Sequence, residues 1–241
     1  MDCRMFISSG NRNFNARLYR SLLFASERDV FLENRSHNSG WGIAILSENE
    51  EIYWRSSIPI YEYIMPLNIF PERSYAMFHA RLASTGEPIN GANDSHPYRV
   101  QGEETIYIAH NGHVKKEILG KEFNIEFRNK TDTEVLAFIL SIMDGDSYTR
   151  IRKMIDTVHD LGANETLNLM FLVNSRSSLR GYYYSEFSTR EKYLTLFKYL
   201  EGDNRAVVSS TIAYYLGLID LEHRVISGNV EPVERSILQE V

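Results

Sequence analysis

Residues 75–86 read YAMFHARLASTG. The aromatic and apolar residues of this stretch predict a buried β-strand over 75–83. Inside such a strand Arg81 needs an anionic partner, because the burial of an unpaired charge is costly. A guanidinium binds a carboxylate through two parallel hydrogen bonds. Two interpretations of Arg81 therefore stay open, a surface ion pair and the binding of a substrate carboxylate.

Strands and helices are predicted on both sides of this stretch. The strands cover residues 3–8, 41–46, 52–56, 105–109, 167–173, 181–187, 193–199 and 206–210, and the helices cover 16–26, a segment that begins at 131, and 148–158. The polar turn 47–50 joins the second and third strands into a predicted hairpin. Strands near both ends of the chain with helices between them favour two sheets stacked between helical layers. Since no repeat or linker interrupts the pattern, residues 1–241 are predicted to form a single domain.

The predicted helices carry apolar faces and one clear start signal. Thr131 and Glu134 form a capping box, since the first residue caps the helix and the second follows three positions later. The side chains predicted to lie on the apolar faces are Leu18, Leu22 and Phe24 in the first helix and Val135, Phe138, Ile139 and Ile142 in the second.

Composition and charge exclude several classes of partner. The 241 residues are 43% hydrophobic and 24% charged, with a formal net charge of −6, which is typical of a globular protein. Lys and Arg are scattered along the chain, which argues against a nucleic-acid partner. The longest strongly apolar stretch, residues 135–143, is far shorter than the roughly 20 residues of a membrane helix. The first residues lack a signal-peptide core, so a cytoplasmic protein with no membrane association is predicted.

Cys3 is the single cysteine, which excludes an internal disulfide and a cysteine-rich zinc site. A lone cysteine is often a small buried hydrophobic residue. Its position near the N-terminus allows a second interpretation. A cysteine whose own α-amine is free combines a nucleophile with a base of pKa about 7.7–8.0.

Asn111, Gly112 and Asp132 also have both a structural and a chemical interpretation. Asn111 and Gly112 are typical of a type I′ hairpin turn. The side-chain amide of Asn111 and the N–H of Gly112 are equally two donors that stabilise an oxyanion. Asp132, in the first turn of its helix, either caps that helix or accepts a ligand ammonium. Together, Arg81 and Asp132 would bind the two charged ends of a free amino acid.

A metal site is not indicated by the histidines. His37, His79, His96 and His110 match no common zinc spacing, and no cluster of carboxylates accompanies them. Neither a metal nor another cofactor is therefore predicted.

Six short motifs follow one another along the chain. They are Cys3-Arg4-Met5, HNSGWG at 37–42, His79-x-Arg81-x-Ala83-Ser84-x-Gly86, Asn93 with His96-Pro97, HNG at 110–112 and TDTE at 131–134. In order and separation they resemble the class II glutamine amidotransferases, which belong to the N-terminal-nucleophile hydrolases. The resemblance covers about residues 3–230. GWG at 40–42 and AVVSS at 206–210 are most similar to the stand-alone branch, which includes enzymes that cleave γ-glutamyl amides.

The resemblance implies a role for each motif residue. Cys3 is the implied nucleophile, and its freed α-amine is the base and later the acid. Asn111 and Gly112 would form the oxyanion hole. Arg81 would bind the α-carboxylate of glutamine and Asp132 its α-amino group, and the thioester at Cys3 would be hydrolysed to glutamate. The residues that would shape the glutamine pocket less directly are His79, Ser84 and Gly86. The implied fold is α+β, a four-layer αββα sandwich of two mainly antiparallel sheets between helical layers.

Two positions depart from the pattern of the family. Ser39 stands where the family usually has Asp, which bears on local hydrogen bonding. The family normally places the cysteine directly after the initiator methionine, whereas here Asp2 intervenes and disfavours methionine removal. Three explanations stay open: later removal of Met1 and Asp2, a start codon placed two residues early, or a member that has lost the activity.

The resemblance and the departure at Asp2 leave three functional hypotheses. The first is hydrolysis of glutamine or a γ-glutamyl compound to glutamate and ammonia. The second is a catalytically inactive glutamine-binding or regulatory subunit. The third is an N-terminal-nucleophile hydrolase of another amide class, against which Arg81 and Asp132 argue. The ammonia would pass to a separate synthase subunit or be released, and the sequence does not predict the oligomeric state.

Overall fold

The computed structural model describes residues 2–176 and 178–241, so the predicted retention or removal of Met1 lies outside the described residues. The strands are β1 (Asp2–Asn11), β2 (Trp41–Leu46), β3 (Glu51–Ser56), β4 (Arg73–Leu82), β5 (Tyr98–Val100), β6 (Thr105–Val114), β7 (Asn164–Asn174), β8 (Leu179–Tyr184), β9 (Leu196–Glu201), β10 (Asn204–Ser209), β11 (Val230–Pro232) and β12 (Gln239–Glu240). The helices are α1 (Arg12–Glu27), α2 (Lys116–Glu122), α3 (Asp132–Ile142), α4 (Ser147–Asp160), α5 (Glu191–Leu194) and α6 (Ser210–Tyr215). Every helix of the described residues is too short or too polar to cross a lipid bilayer.

Two antiparallel sheets stack face to face. The first has seven strands in the order β11-β9-β10-β1-β4-β2-β3, and the second has five in the order β12-β8-β7-β6-β5. Because side chains alternate along a strand, Met5 and Ile7 of β1 face the second sheet. Phe6, between them, packs under α1 and α6. Helices α3 and α4 cover the outer face of the second sheet, so the predicted αββα sandwich of α+β class is confirmed.

Three sequence predictions are wrong in detail. Residues 111–112 lie inside β6 and do not form a turn, because β6 continues to Val114 beside β7. Tyr193 belongs to α5, and the strand predicted from 193 begins at Leu196. The strand predicted over 181–187 ends at Tyr184. In the last two cases a single aromatic residue, Phe187 or Tyr193, lies outside the paired residues that form the strand.

The helix faces are partly wrong as well. Phe24 of α1 is exposed and Ala25 is buried in its place. In α3, Phe138 and Ile142 are exposed, whereas Leu136 and Leu140 are buried. The helix is rotated from the predicted orientation because Asp132, at its start, points into the protein. The cap is confirmed, since the Thr131 side chain accepts a hydrogen bond from Glu134 N at 3.1 Å, but Glu134 itself pairs with Lys130.

A buried ionic network anchors the start of β1. Arg4, Asp29 and His37 are all fully buried. Asp29 accepts hydrogen bonds from Arg4 Nη2 at 3.0 Å and from His37 Nε2 at 2.8 Å. Burial alone would raise the pKa of Asp29, but the charge of Arg4 and the hydrogen bond from His37 hold it well below its usual range. Since Arg4 follows Cys3 directly, this network fixes the position of Cys3.

Breaking this network is predicted to destabilise the fold strongly. Asp29→Asn leaves the Arg4 charge buried without a counter-ion, and such losses cost about 3–5 kcal/mol of unfolding free energy. The matched control is Glu201→Gln, which breaks the half-exposed pair of Arg17 with Glu201 and should cost less than about 1 kcal/mol. Urea denaturation measures both, and equal losses would contradict an anchoring role for the buried network.

Candidate functional site

The candidate site begins at the pairing of β1 with β4. These strands are antiparallel, and their register places Cys3 directly opposite Arg81. Both side chains are fully buried. The only cysteine and the arginine of residues 75–86 are therefore neighbours.

Asn111 brings the second sheet to the same point. The backbone nitrogen of Cys3 donates a hydrogen bond to Asn111 Oδ1 at 3.0 Å. This bond orients the Asn111 amide, and its buried Nδ2 has no partner within residues 2–176 and 178–241. At Gly112 a Cβ atom would lie 2.0 Å from Thr166 O, so no other residue fits beside Asn111. The unpaired Nδ2 donor of Asn111 thus belongs to the residue that precedes Gly112, where no side chain covers the backbone.

Arg81 meets a loop that folds back after β4. Its Nη2 donates to Pro88 O at 2.8 Å. The loop contains a turn in which Glu87 N donates to Ser84 O at 3.0 Å, and Gly86 supplies the positive φ of +87° that this turn needs. The Nε and Nη1 groups of Arg81 are buried without a partner among the described residues. Arg81 therefore retains donor capacity on both of these nitrogens, while Nη2 is engaged by Pro88.

Asp132 approaches the end of β6 from the start of α3. Its Oδ2 accepts from Val114 N at 3.0 Å and from His113 Nδ1 at 2.6 Å. Burial alone would raise the pKa of Asp132, but the hydrogen bond and charge of His113 lower it. The hydrogen bond to Asp132 in turn raises the pKa of His113, against its partial burial. Asp132 Oδ1 is buried and has no hydrogen-bond partner in the part of the chain that the structure describes.

Glu87 and Lys116 complete this side of the site. Lys116 Nζ lies 3.3 Å from Glu87 Oε1 and 4.0 Å from Asp132 Oδ1. Glu87, His113 and Asp132 each place one potential ligand atom within 4.8 Å of the others, which is a possible metal-ligand set. The ammonium of Lys116 already supplies a positive charge between the two carboxylates. The side chain of Lys116 therefore balances the negative charge of this set of donors.

Three buried histidines, His79, His96 and His110, lie beneath the site, and burial lowers the pKa of each. His79 Nε2 contacts His110 O at 3.3 Å, and the rings of His79 and His96 lie 4.2 Å apart. Burial lowers the pKa of His79 to about 3 and that of His110 to about 4. His79 of the first sheet thus contacts His110 of the second sheet, and the pocket-shaping role of His79 stays a prediction.

The thiol of Cys3 is not activated by its surroundings. Burial raises the pKa of Cys3 to about 12. With Asp2 attached, the nitrogen of Cys3 is an amide and cannot accept a proton. A base for the thiol therefore requires a free α-amine on Cys3 itself.

The main residues of the site are buried. Cys3, Arg81, Asn111 and Asp132 all have an exposed fraction of 0%. Five open cavities, of about 230 to 750 Å³, are lined by other residues. The unpaired donors and the unpaired acceptor are thus all buried inside the protein.

Comparison with known structures identifies the fold. The chain superimposes over 99% of its length on a structure described as the allosteric regulatory enzyme of purine biosynthesis, with a TM-score of 0.65 and 17% identity. Against the glutamine phosphoribosylpyrophosphate amidotransferase of B. subtilis, bound to ADP and GMP, it also covers 99% of its length, with a TM-score of 0.63 and 16% identity. The chain has the class II glutamine amidotransferase fold.

The chain spans about half of each amidotransferase structure, 48% and 49% respectively. A scan against protein families and a search of curated proteins both gave no match. The fold is therefore assigned from structural similarity alone.

Several residues of the site were not predicted from the sequence. His113 and Lys116 follow the HNG motif, and Glu87 follows Gly86, but none has a spacing that signals a role. They join the site through contacts between β6, α2, α3 and the loop after β4. By contrast, each predicted residue lies in or beside the site, including Ser84 and Gly86 in the loop turn.

The pair of His113 with Asp132 predicts a pH-dependent stability. Because the pKa of His113 is raised in the fold, its contribution is complete below the unfolded pKa of about 6.5 and is lost as pH rises through the folded value. His113→Asn should therefore lower the melting temperature more at pH 6 than at pH 9. In the Asp132→Asn background the difference between these two pH values should disappear. A loss that is equal at both pH values would show that the pair does not form.

Proposed function

We propose that the chain hydrolyses the side-chain amide of glutamine or of a γ-glutamyl compound. The supporting observation is a set of buried polar groups without partners among the described residues, which belong to Arg81, Asn111 and Asp132. Buried polar groups are usually paired, so unpaired charged groups and amide donors at one site are candidates for contacts with a ligand. Other unpaired buried atoms, such as those of Trp41 and His223, lie outside this set. Two guanidinium donors, one carboxylate oxygen and one amide donor complement a carboxylate, an ammonium and an oxyanion. An α-amino acid with a side-chain amide carries all three.

In this proposal each group has one task. Arg81 binds the α-carboxylate, Asp132 Oδ1 binds the α-ammonium, and His79, Ser84 and Gly86 support the pocket walls. Asn111 Nδ2 and the N–H of Gly112 stabilise the oxyanion. That residues 1–241 form one amidotransferase domain is part of the same proposal.

The reaction starts when the freed amine of Cys3 takes the thiol proton. Sγ then forms a bond to the amide carbon, and the negative charge on oxygen faces the Asn111 amide. The C–N bond breaks as the ammonium of Cys3 returns its proton to the leaving nitrogen. Water, activated by the same amine, cleaves the thioester and restores the thiol. Glutamate and ammonia, or a free amine, are the products.

The terminal amine is tested by deleting Asp2. Met1 then precedes the cysteine directly and can be removed, which intact mass verifies. Glutamate release from glutamine should rise at least about a hundredfold over the chain that keeps both residues, since a positioned base contributes 10²–10⁴. Cys3→Ala in the same background should abolish the gain. Equal rates from both forms would contradict the proposed mechanism.

The two charged subsites are tested by Arg81→Gln and Asp132→Asn. Each removes a charge-assisted contact worth about 1.5–3 kcal/mol, so kcat/KM for glutamine should fall between about tenfold and a hundredfold. Arg99→Gln is the control, because Arg99 pairs with Glu51 on another part of the protein. Losses of the same size in all three variants would assign the effect to general damage.

One observation favours a second function, a glutamine-binding subunit without turnover. Asp2 is held by Arg190, whose Nη1 lies 2.6 Å from Asp2 Oδ1, and burial raises the pKa of the Cys3 thiol. If the cell retains Asp2, the groups of Arg81 and Asp132 remain for binding alone. Calorimetric binding of glutamine to the chain that keeps Asp2, without glutamate release in either form, supports this alternative.

A further inference from the structure

The ion pair between Arg190 and Asp2 lies at the site but has no role in the steps above. The guanidinium of Arg190 contacts the Asp2 carboxylate at 2.6 Å. Asp2 is the acidic residue with which Arg190 pairs among those that the structure describes. If Asp2 is removed to free the Cys3 amine, Arg190 loses this carboxylate.

Arg190 is held in place next to the nucleophile. Its guanidinium lies 4.3 Å from the centre of the Tyr193 ring. Tyr193 is fixed in turn by Arg4, 3.8 Å from the same ring, and its hydroxyl donates to Cys3 O at 3.3 Å. The backbone of Arg190 has a φ of +55°, a strained value for an arginine. The cation is thus positioned by the residues that position Cys3.

The position of Asp2 marks the space of the leaving group. In the proposed reaction the Cys3 amine passes a proton to the leaving nitrogen, which must lie about 3 Å from it. With standard bond lengths, Asp2 Cα lies about 2.4 Å from Cys3 N. A leaving nitrogen on the side of the amine where the chain was removed would lie near the position of Asp2 Cα. Its next carbon would then lie near Asp2 Cβ, and a carboxylate on that carbon near Asp2 Cγ, beside Arg190.

On this basis, and resting on the proposed function, we infer that Arg190 binds a carboxylate on the leaving amine. An α-amino acid has this spacing, with one carbon between nitrogen and carboxylate. The favoured substrates are thus γ-glutamyl α-amino acids rather than free glutamine. Arg81 and Asp132 bind the γ-glutamyl half, and Arg190 distinguishes the other half.

The test compares two substrates of nearly equal size with the Asp2-deleted protein, which begins at Cys3. γ-Glutamylglycine carries the carboxylate, and γ-glutamylglycinamide replaces it with a neutral amide. We expect kcat/KM, measured by glutamate release, to be at least tenfold higher for γ-glutamylglycine. In Arg190→Gln this ratio should fall to near one, and in Arg190→Lys it should be intermediate.

The matched control is Arg235→Gln. Arg235 also stacks on an aromatic ring, 3.9 Å from the centre of Phe187, and pairs with Glu191. Its side chain is 42% exposed, against 44% for Arg190. The substrate ratio should keep its wild-type value in this variant.

The outcomes separate this inference from the proposed function. Hydrolysis of glutamine with a substrate ratio near one in the unsubstituted protein overturns the role of Arg190 and leaves the proposed function standing. If the substrate ratio keeps its unsubstituted value in Arg190→Gln, the role of Arg190 is overturned as well. If glutamine, γ-glutamylglycine and γ-glutamylglycinamide all remain unhydrolysed, the proposed function is rejected, and the inference is rejected with it. If Arg190→Gln does not fold, the ratio in the unsubstituted protein and in Arg190→Lys decides.

Discussion

The hydrogen bond from the Cys3 nitrogen to Asn111 Oδ1 is the contact on which the site depends. Cys3 belongs to the first sheet and Asn111 to the second, so this bond joins the two layers where the chain begins. It also uses the acceptor side of the Asn111 amide and leaves the donor side free. The register of β1 and β4 then places Arg81 beside the same nitrogen. The position of one backbone atom thus aligns a thiol, a guanidinium and an amide donor.

The burial of unpaired polar groups at the site costs free energy, and the surrounding structure stabilises the arrangement despite this cost. Arg81 and Asp132 are buried with groups unpaired in the described chain, and each such group typically costs about 1–3 kcal/mol. A buried network in which Asp29 accepts hydrogen bonds from Arg4 and His37 lies behind them and fixes β1. The neutral rings of His79 and its neighbours fill the space below without adding charge. The charge of Asp132 is balanced by His113 and Lys116, whereas Arg81 has no acidic partner in the described part of the chain, and a substrate carboxylate would supply one.

Much of this could be predicted from the sequence. The layered architecture follows from alternation along strands such as β1, and the approach of Arg81, Asn111 and Asp132 follows from motif order. The hairpin-turn interpretation of Asn111 and Gly112 was wrong because pairing with β7, a contact distant in sequence, extends β6 through them. Phe138 and Ile142 were misplaced because the buried carboxylate of Asp132 sets the rotation of α3.

Contacts distant in sequence explain the remaining omissions. Lys116 meets Glu87 across 29 positions, and Arg190 meets Asp2 across 188. Neither pair is signalled by a short sequence motif, because its two residues are brought together only when the chain folds. The local motifs therefore predict the reacting groups, whereas the charged residues around them are identified only in the folded structure.

The account stands on cooperation between the thiol and the amine of Cys3. Its most direct test is covalent labelling by 6-diazo-5-oxo-L-norleucine, a diazoketone shaped like glutamine, followed by intact mass. The account predicts one adduct per chain, on Cys3, in the form that begins at this residue, with protection by glutamine. The form that keeps Asp2 should remain unlabelled. Equal labelling of both forms, or an unlabelled chain that begins at Cys3, would contradict it.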